Sequence, residues 1–461
     1  MTATVCCNEF SRAALLRGAA AQAGNGLPAI EPGQPMPAGT GLSRRSFLAR
    51  STGLAMAVYG GAALAPRAFE EGIAAAQAAG GERVLVSVFL AGGIDALSLI
   101  APTGHADYAS LRPTLKVAPD AAFTLPADRT LQWHPSAAPL RDLHAAGKLT
   151  VLPAVGYTDP NQSHFTSRHY WEVGELSPSG RVGWMGRFLD RHGVADNPLQ
   201  GLSLDDTLAP SLAPTSVPVA AVGAPEDYDF WTRDVWDAGV NDKLLNSFGA
   251  LGGLSTSDPE LAAARTAARL SSSLRTSLAP VRDTDPFALA QATYPTSSNR
   301  FPRRLASLAD MLGRGMPLRC VAIEANGGYD THDNQNGSLP GNIALMSQSL
   351  AAFQADLEAR GVADRVIVHV WSEFGRRAQE NGGGTDHGAA GSGFVMGTHA
   401  AGGIVGGFPG IASTQLDSRG NLKHTADFRA VYKTLVEGWM GVDATGIVPG
   451  ASGFASLPLL K

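Results

Sequence analysis

The chain has 461 residues, of which 44% are hydrophobic and 17% are charged, and its formal net charge is −5. This composition supplies enough apolar surface for a large core, and the absence of a basic balance gives no indication of nucleic acid as a partner. The 54 glycines and 29 prolines indicate many loops rather than a helical bundle.

An export signal is predicted near the N-terminus. Arg44 and Arg45 precede a Ser-Phe-Leu triplet, and a moderately apolar run follows from Leu54 to Leu64. Charged, apolar and small-residue segments in this order are typical of a signal peptide, with cleavage points in residues 63–65 and 76–78. The paired arginines resemble the twin-arginine signal, an address that the export machinery reads. The alternative is an ordinary N-terminal anchor helix.

Gly60 and Gly61 interrupt the apolar run, which is too short for a membrane span, so no stable span is expected in the mature form. We expect residues 1–79 to be an extension and signal peptide that is disordered or removed, and residues 80–461 to form a single domain. The protein is then expected in the periplasm or outside the cell. Whether translation starts at Met1 or Met36 stays open.

Cysteine usage limits the kinds of site that the mature chain can contain. Cys6 and Cys7 lie upstream of the predicted signal, so Cys320 is the cysteine that remains. One thiol excludes an internal disulfide and a metal site built on several thiolates. We interpret Cys320 as a small buried hydrophobic residue.

Apolar, β-branched runs alternate with helical patterns along the chain. Four such runs predict strands buried on both faces, at Arg83–Leu90, Leu149–Gly156, Pro317–Ala325 and Arg365–Glu373. Helical spacing predicts helices within residues 134–148, 342–361 and 425–441, the last of them capped by Thr425. The alternation predicts an α/β fold with a mostly parallel sheet and helices on both faces. The irregular residues 199–307 predict an insertion or a cap.

Polar side chains follow each predicted strand, at the sheet edge where α/β proteins form their sites. They are Asp95 after the first strand, Ser163 and His164 after the second, Asp330 and His332 after the third, and Glu373, Asp386 and His387 after the fourth. Carboxylates and neutral imidazoles together make a nitrogen and oxygen ligand set that suits Zn²⁺ or Mn²⁺ better than Ca²⁺ or Mg²⁺. Glycines around Asp386 and His387 would let a tight turn present both side chains to one site.

Each of these residues also has a purely structural alternative. Ser163 is suited to cap the helix that follows it, and Asp330 is suited to cap a turn. Glu373 and Arg376 are suited to form an ion pair, and an Asp-His pair between glycines is often only a polar turn.

Several motifs carry a resemblance to a known family. The segments GGIDALSLIAP, VGYTDPNQSHFTSRHYWEVGE, GYDTHDNQ and WSEFGRRAQENGGGTDHG occur in order within residues 83–441. They resemble the twin-arginine-exported bacterial family called domain of unknown function 1501. That family is similar in fold to the alkaline phosphatase and sulfatase superfamily. Many members of the superfamily hold two metal ions and use a Ser, Thr or formylglycine nucleophile. The resemblance therefore implies an alkaline-phosphatase-like core.

The resemblance also implies roles for particular residues. The metal ligands it implies are Asp95, Asp330, His332, Asp386, His387 and His424. Ser163 takes the position of the nucleophile, and His164 is either a further ligand or a general acid beside it. Two departures stand out: Asp330 and His332 are two positions apart rather than one helical turn, and no sulfatase signature surrounds Ser163. Formylglycine is therefore not expected.

Two functions follow from this reading. The first is an exported, metal-dependent hydrolase of phosphate or sulfate esters, with one or two Zn or Mn ions and an unknown small-molecule or polymer substrate. The second is a non-catalytic exported binding or assembly protein that retains the fold. A redox enzyme is disfavoured because no dinucleotide fingerprint follows the first strand. The metal hypothesis requires that Asp95, Asp330, His332, Asp386 and His387 converge in one pocket.

Overall fold

The computed structural model describes residues 82–461. The predicted twin-arginine signal, with Arg44 and Arg45, lies outside the described residues, as do Cys6 and Cys7. Between residues 82 and 461, no helix has both the length and the apolar character needed to cross a membrane.

Strands and helices alternate along the described chain. Residues 82–461 contain the strands β1 (Val84–Phe89), β2 (Ile100–Ala101), β3 (Thr124–Leu125), β4 (Asp128–Trp133), β5 (Leu149–Gly156), β6 (Gly201–Ser203), β7 (Ala220–Ala221), β8 (Cys320–Glu324), β9 (Val366–Trp371), β10 (Arg376–Glu380), β11 (Thr385–His387), β12 (Gly391–Met396) and β13 (Ala426–Asp427). They contain the α-helices α1 (Ala96–Leu99), α2 (Tyr108–Leu111), α3 (Ala138–Ala145), α4 (His164–Val173), α5 (Trp184–His192), α6 (Ala238–Gly252), α7 (Pro259–Leu278), α8 (Pro286–Leu289), α9 (Phe301–Gly313), α10 (Gln335–Ala359) and α11 (Phe428–Thr434).

The central sheet has eight strands in the order β13-β5-β12-β9-β1-β8-β6-β7. β13 is parallel to β5, and β6 is parallel to both β7 and β8. β12 is antiparallel to its neighbours β5 and β9, which are therefore parallel to each other. The predicted mixed α/β class with a mostly parallel sheet is confirmed. The chain between β9 and β12 forms the β10–β11 pair, without the crossover helix that usually joins parallel strands.

The four predicted buried runs each contain a strand of this sheet, namely β1, β5, β8 and β9. Their β-branched side chains are buried almost throughout, as a strand covered on both faces requires. The predicted helices correspond to α3, α10 and α11. In the larger of the two units defined below, a buried cluster that includes Leu97, Ala154, Ala378 and Leu422 forms part of the core.

The predicted cap of α11 is wrong. Asp427 is the N-cap, since its Oδ1 accepts a hydrogen bond from Arg429 N at 2.9 Å. Thr425 Oγ1 instead donates to Gly407 O at 2.9 Å. Thr425 stands too early to cap the helix because Ala426 and Asp427 first pair with β5 as strand β13.

The described residues divide into two compact units. The larger unit comprises Leu85–Leu176, Ala290–Ala306 and Ile323–Lys461, and it contains every residue predicted for the site. The smaller unit comprises residues 82–84, Ser177–Leu289 and Ser307–Ala322, and helices α6 and α7 lie in it. The single domain expected for residues 80–461 stays a prediction.

Cys320 is buried at the start of β8, with 1% of its surface exposed. Burial raises the pKa of its thiol to about 12, so little reactive thiolate exists at neutral pH. In a Cys6→Ser/Cys7→Ser chain, we expect no reaction of the native protein with a disulfide reagent such as DTNB. One thiol per chain should react after unfolding in guanidinium. Rapid reaction of the native protein would contradict this burial.

Candidate metal centre

Three histidines and one aspartate meet in the larger unit. His164 begins α4, Asp330 and His332 follow β8, and His387 ends β11. One ligand atom from each of His164, Asp330 and His387 lies within 4.8 Å of the other two. His332 joins this group, because its Nε2 lies 3.1 Å from Asp330 Oδ1 and 3.0 Å from His387 Nε2. We call these four side chains the histidine cluster.

The distances between neighbouring ligand atoms suit a single ion. His387 Nε2 lies 3.2 Å from Asp330 Oδ1, and His164 Nε2 lies 3.3 Å from Asp330 Oδ2. Two ligand atoms that each lie about 2.0–2.1 Å from Zn²⁺ at a tetrahedral angle are about 3.3 Å apart. The ligand atoms of His164, Asp330 and His387 are therefore close enough to share one ion, and His332 adds contacts to Asp330 and His387.

The outer nitrogens of two imidazoles face oxygen acceptors. His387 Nδ1 lies 2.8 Å from Gln162 O, and His164 Nδ1 lies 2.7 Å from Glu373 Oε1. A carbonyl or an ionised carboxylate only accepts hydrogen bonds, so in a neutral imidazole it favours the proton on Nδ1 and leaves Nε2 able to bind a cation. In both rings Nε2 lies beside an oxygen of Asp330.

The third imidazole has a similar but looser support. His332 Nδ1 lies 3.6 Å from Asp386 Oδ1. Asn381 Nδ2 donates to His332 O at 3.0 Å and to Asp386 Oδ1 at 3.1 Å. The structure thus places Asp386 behind His332, on the side away from Asp330, with half of its side chain exposed.

Glu373 is buried and orients His164, and the carboxylate of Glu373 also accepts hydrogen bonds from backbone groups. Its oxygens accept from Gly92 N at 3.0 Å and from Gly93 N at 3.1 Å. Burial opposes the ionisation of Glu373, but the hydrogen bond and charge of His164 lower its pKa overall. Gly92 has a φ of +119°, and a Cβ there would lie 2.4 Å from Asp330 N, so only glycine fits.

Arg376 forms an ion pair with Asp330 from a fully buried position. The guanidinium is fully buried, and its Nη2 donates to Asp330 Oδ1 at 2.5 Å. Its other groups donate to backbone oxygens, including Gly93 O at 2.7 Å and Thr385 O at 2.8 Å. Glu373 and Arg376, suggested as an ion pair by the sequence, therefore serve different partners, His164 and Asp330.

The charge states of the cluster suit metal ligands. Burial alone would raise the pKa of Asp330, but hydrogen bonds with three imidazoles and the charge of Arg376 hold it well below its usual range. Burial, together with the charges of His164 and Arg376, lowers the pKa of His387 despite its hydrogen bond with Asp330. At neutral pH, Asp330 is therefore a carboxylate and His387 a neutral imidazole, the forms that bind metals.

Glycines in the segment GGGTDHG permit the close approach of β11. A Cβ on Gly384 would lie 2.3 Å from His332 C, and a Cβ on Gly388 would lie 2.4 Å from Arg376 C. β11 pairs antiparallel with β10, which places His387 opposite Arg376. The glycines thus let His387 lie against the segments that carry its neighbours in the cluster.

Asp95 lies outside the histidine cluster, so the convergence of all five residues that the sequence analysis required is not observed. It is fully buried, and its oxygens accept from Arg112 at 2.5 and 3.0 Å, from Gln335 Nε2 at 2.6 Å and from Ser98 Oγ at 2.7 Å. Burial opposes its ionisation, but the charge and hydrogen bonds of Arg112 lower its pKa overall. The structure uses Asp95 as the N-cap of α1 and as the partner of Arg112.

Two other predicted site residues, Ser163 and His424, are not part of the cluster. Ser163 directly precedes His164 at the N-cap position of α4, and its backbone N donates to Asn161 Oδ1 at 2.8 Å. His424 precedes β13 and lies next to the end of β5: a Cβ added to Gly156 would be 3.1 Å from the Cβ of His424. The ligand atoms that come together within residues 82–461 do not include His424.

Sequence reasoning missed two supporting glutamines. The backbone oxygen of Gln162 lies 2.8 Å from His387 Nδ1, and the Nε2 of the same glutamine donates to His387 O at 3.1 Å. Gln335 Oε1 accepts from Thr331 Oγ1 at 2.9 Å and from Thr385 Oγ1 at 2.8 Å, so it connects the two segments that carry Asp330 and His387. Both glutamines lie in motifs that resemble the family, TDPNQSH and DTHDNQ. Neutral amides have no charge pattern that would have singled them out.

Solved structures similar in fold include members of the alkaline phosphatase and sulfatase superfamily. One is a protein in the alkaline phosphatase superfamily from Vibrio parahaemolyticus, with 9% identity, a TM-score of 0.36, and coverage of 88% of this chain and 77% of that one. Another is a sulfatase from Pseudoalteromonas sp., with 12% identity, a TM-score of 0.32, and coverage of 83% and 73%.

A third is the integral membrane protein lipooligosaccharide phosphoethanolamine transferase A from Neisseria meningitidis, with 11% identity and a TM-score of 0.35. The match covers 78% of this chain but only 55% of the transferase. Likenesses at this level show nothing about what this chain does. No curated protein matches it.

A protein family matches just over half of the chain. The family described as "Protein of unknown function (DUF1501)" matches residues 213–448, more than half of the 461 residues. The matched range includes Asp330, His332 and His387, together with the family-like segments GYDTHDNQ and WSEFGRRAQENGGGTDHG. The chain therefore belongs to the DUF1501 family.

Proposed function

We propose that the chain is a metal-dependent hydrolase of phosphate or sulfate esters, with one divalent ion held by His164, Asp330, His332 and His387. The observation that best supports this is the arrangement of the imidazoles, whose Nε2 atoms gather at Asp330 while their Nδ1 atoms face oxygens. Three nitrogens and a carboxylate favour Zn²⁺ or Mn²⁺. The pairing of Asp95 with Arg112 favours one ion over two.

Each residue has a proposed part in the reaction. A divalent ion in the cluster would act as a Lewis acid that lowers the pKa of a hydroxyl or water beside it. Ser163, adjacent to His164 in sequence, is the proposed nucleophile; its oxygen would bond to phosphorus or sulfur and the alcohol of the ester would leave. Water would then hydrolyse the serine ester and restore the hydroxyl. His164 is proposed as a ligand rather than a general acid, because Glu373 orients its Nε2 toward Asp330.

Metal content and ester hydrolysis, measured on the same purified full-length chain, test this proposal. Elemental analysis should find close to one Zn or Mn per chain, and a panel of aryl phosphates and aryl sulfates should include a substrate. His387→Ala should lose both properties, whereas His399→Ala, which changes a partly exposed histidine away from the cluster, should keep both. Chains without metal would contradict the proposal. Metal without hydrolysis would favour the non-catalytic binding or assembly protein.

We also propose that the chain leaves the cytoplasm by the twin-arginine route and acts in the periplasm or outside the cell. The support is the sequence Arg44-Arg45-Ser46-Phe47-Leu48, followed by an apolar run. An Arg44→Lys/Arg45→Lys chain should stay in the cytoplasm of a bacterium that has the twin-arginine machinery. Cell fractionation would measure this, with Arg50→Lys as the matched control that is still exported. Equal export of both variants would contradict the route.

A further inference from the structure

The smaller unit has an unusual group of exposed apolar side chains. Nine large hydrophobic residues are exposed within residues 82–461, and eight of them lie in one short stretch of the sequence. The eight, which we call the apolar seam, are Trp231, Trp236, Val240, Leu244, Phe248, Leu251, Leu254 and Leu261. Trp236 is 89% exposed. Singly scattered exposed apolar residues need no explanation, but exposed apolar area of several hundred Å² concentrated in one segment is typical of an interaction surface.

Helix α6 has two apolar faces, and only one of them is used inside the unit. Its buried residues, Asn241, Leu245, Gly249 and Gly252, recur at helical spacing. A Cβ on Gly252 would lie 2.8 Å from the backbone oxygen of Arg265 in α7, so small residues let the two helices pack closely. The other face carries Val240, Leu244, Phe248 and Leu251 at the same spacing and remains exposed.

The exposed positions are nearly symmetric about the middle of α6, at Leu245. Trp236 and Leu254 are each nine residues from that centre, and Val240 and Leu251 are five and six residues from it. Two copies of a helix that pack antiparallel about a two-fold axis place residue i opposite residue j, and j opposite i. A second copy of α6 would therefore set Trp236 against Leu254 and Val240 against Leu251.

The exposed area and the charges also suit a second copy of the chain. With about 200 Å² for each large apolar side chain, the seam exposes roughly 900 Å², close to the ~800 Å² per partner of a standard interface. Lys243 and Asp242 are the only charged residues in α6, and Asp242 pairs with Arg275 at 2.9 Å. Asp234 and Asp237 flank the helix, and their charges disfavour an anionic lipid surface.

We propose that the apolar seam is a homodimer interface in which α6 of one copy packs antiparallel against α6 of the other. This inference is independent of the metal centre. Sedimentation velocity of the full-length chain at micromolar concentration should give a species with twice the mass of one chain. Leu244 lies beside the proposed two-fold axis, so Leu244→Arg brings two like charges together. We expect it to raise the dissociation constant at least ~100-fold and to yield monomers.

Val194→Arg is the matched control, because Val194 is the exposed large hydrophobic residue outside the seam and is 60% exposed. It should leave the dimer unchanged, and circular dichroism should show the same fold for both variants. A monomeric parent chain, or a dimer that survives Leu244→Arg, would overturn the proposal. So would a monomer that pellets with phosphatidylcholine vesicles and loses this property in Leu244→Arg, since the seam would then be a lipid-binding face.

Cysteine cross-linking tests the antiparallel direction. In a Cys6→Ser/Cys7→Ser background, a Trp236→Cys chain mixed with a Leu254→Cys chain should form a disulfide between the two. Neither chain alone should cross-link with itself to a comparable extent. Efficient self-cross-linking of Trp236→Cys would instead indicate parallel helices and overturn the proposed arrangement.

Discussion

Asp330→Asn should lower the affinity of the chain for Zn²⁺ by roughly two orders of magnitude. In the proposed site Asp330 is the central residue, because His332, His387 and His164 all approach its oxygens within 3.1–3.3 Å. Structural zinc sites bind with about 10–16 kcal/mol, so one ligand in four accounts for roughly 2.5–4 kcal/mol. That loss corresponds to a dissociation constant that is roughly 60- to 700-fold weaker. Competition with a chromophoric chelator would measure it.

Asp386→Asn provides the matched comparison. Both changes turn an aspartate into the isosteric amide, but within the histidine cluster Asp386 approaches only the outer nitrogen of His332, at 3.6 Å. A group that supports a ligand in this way is typically worth roughly 10- to 100-fold in affinity. If Asp386→Asn proved as harmful as Asp330→Asn, the supporting role of Asp386 would be contradicted; a harmful Asp386→Asn beside a harmless Asp330→Asn would make Asp386 the ligand. Thermal unfolding of both variants would show whether a general loss of stability is the cause.

Arg112→Met should destabilise the fold by about 3–5 kcal/mol, the cost of leaving one charge of a buried pair without its partner. The side chains of Arg112 and Asp95 are both fully buried, and their closest atoms are 2.5 Å apart. Arg112 also donates to Ala378 O at 2.6 Å and to Arg377 O at 2.8 Å, so it connects α1 to β10. Equilibrium unfolding in urea would give the free energy of unfolding.

Lys148→Met is the control for the loss of an ion pair at the surface. Lys148 and Glu358 form a pair at 2.8 Å with about a third of each side chain exposed, so its removal should cost at most about 1 kcal/mol. The double variant Asp95→Asn/Arg112→Met should recover part of the loss, because both buried charges are then gone. Equal effects of Arg112→Met and Lys148→Met would show that the buried pair contributes no more than a surface pair.

Local sequence patterns were sufficient to predict the main strands and to name the residues of the histidine cluster. A continuous β-branched run has one stable environment, a strand covered on both faces, and β1, β5, β8 and β9 all lie in such runs. Because these strands end where polar residues begin, the positions of Asp330, His332 and His387 could be read from the sequence. His164 was also named, although its two suggested roles could not be separated without the orientation of its ring.

The partner of each buried polar side chain could not be read in the same way. The sequence suggests Asp95 as a metal ligand, yet in the structure it forms an ion pair with Arg112, which is 17 positions away. Gln335, which is 240 positions away, donates a further hydrogen bond to it. The antiparallel direction of β12 likewise depends on the path of the chain between β9 and β12. Such contacts depend on which distant groups the fold brings within hydrogen-bonding range.

The amino-acid sequence by itself determined the α/β class, the main strands, the family resemblance and the polar residues that follow those strands. Only the tertiary structure decided which of those residues gather at Asp330 and which, like Asp95, serve another partner. The physical reason is the range of the interactions. Strand and helix preferences depend on neighbours in the chain, whereas the role of a carboxylate depends on the charges and donors that surround it in space.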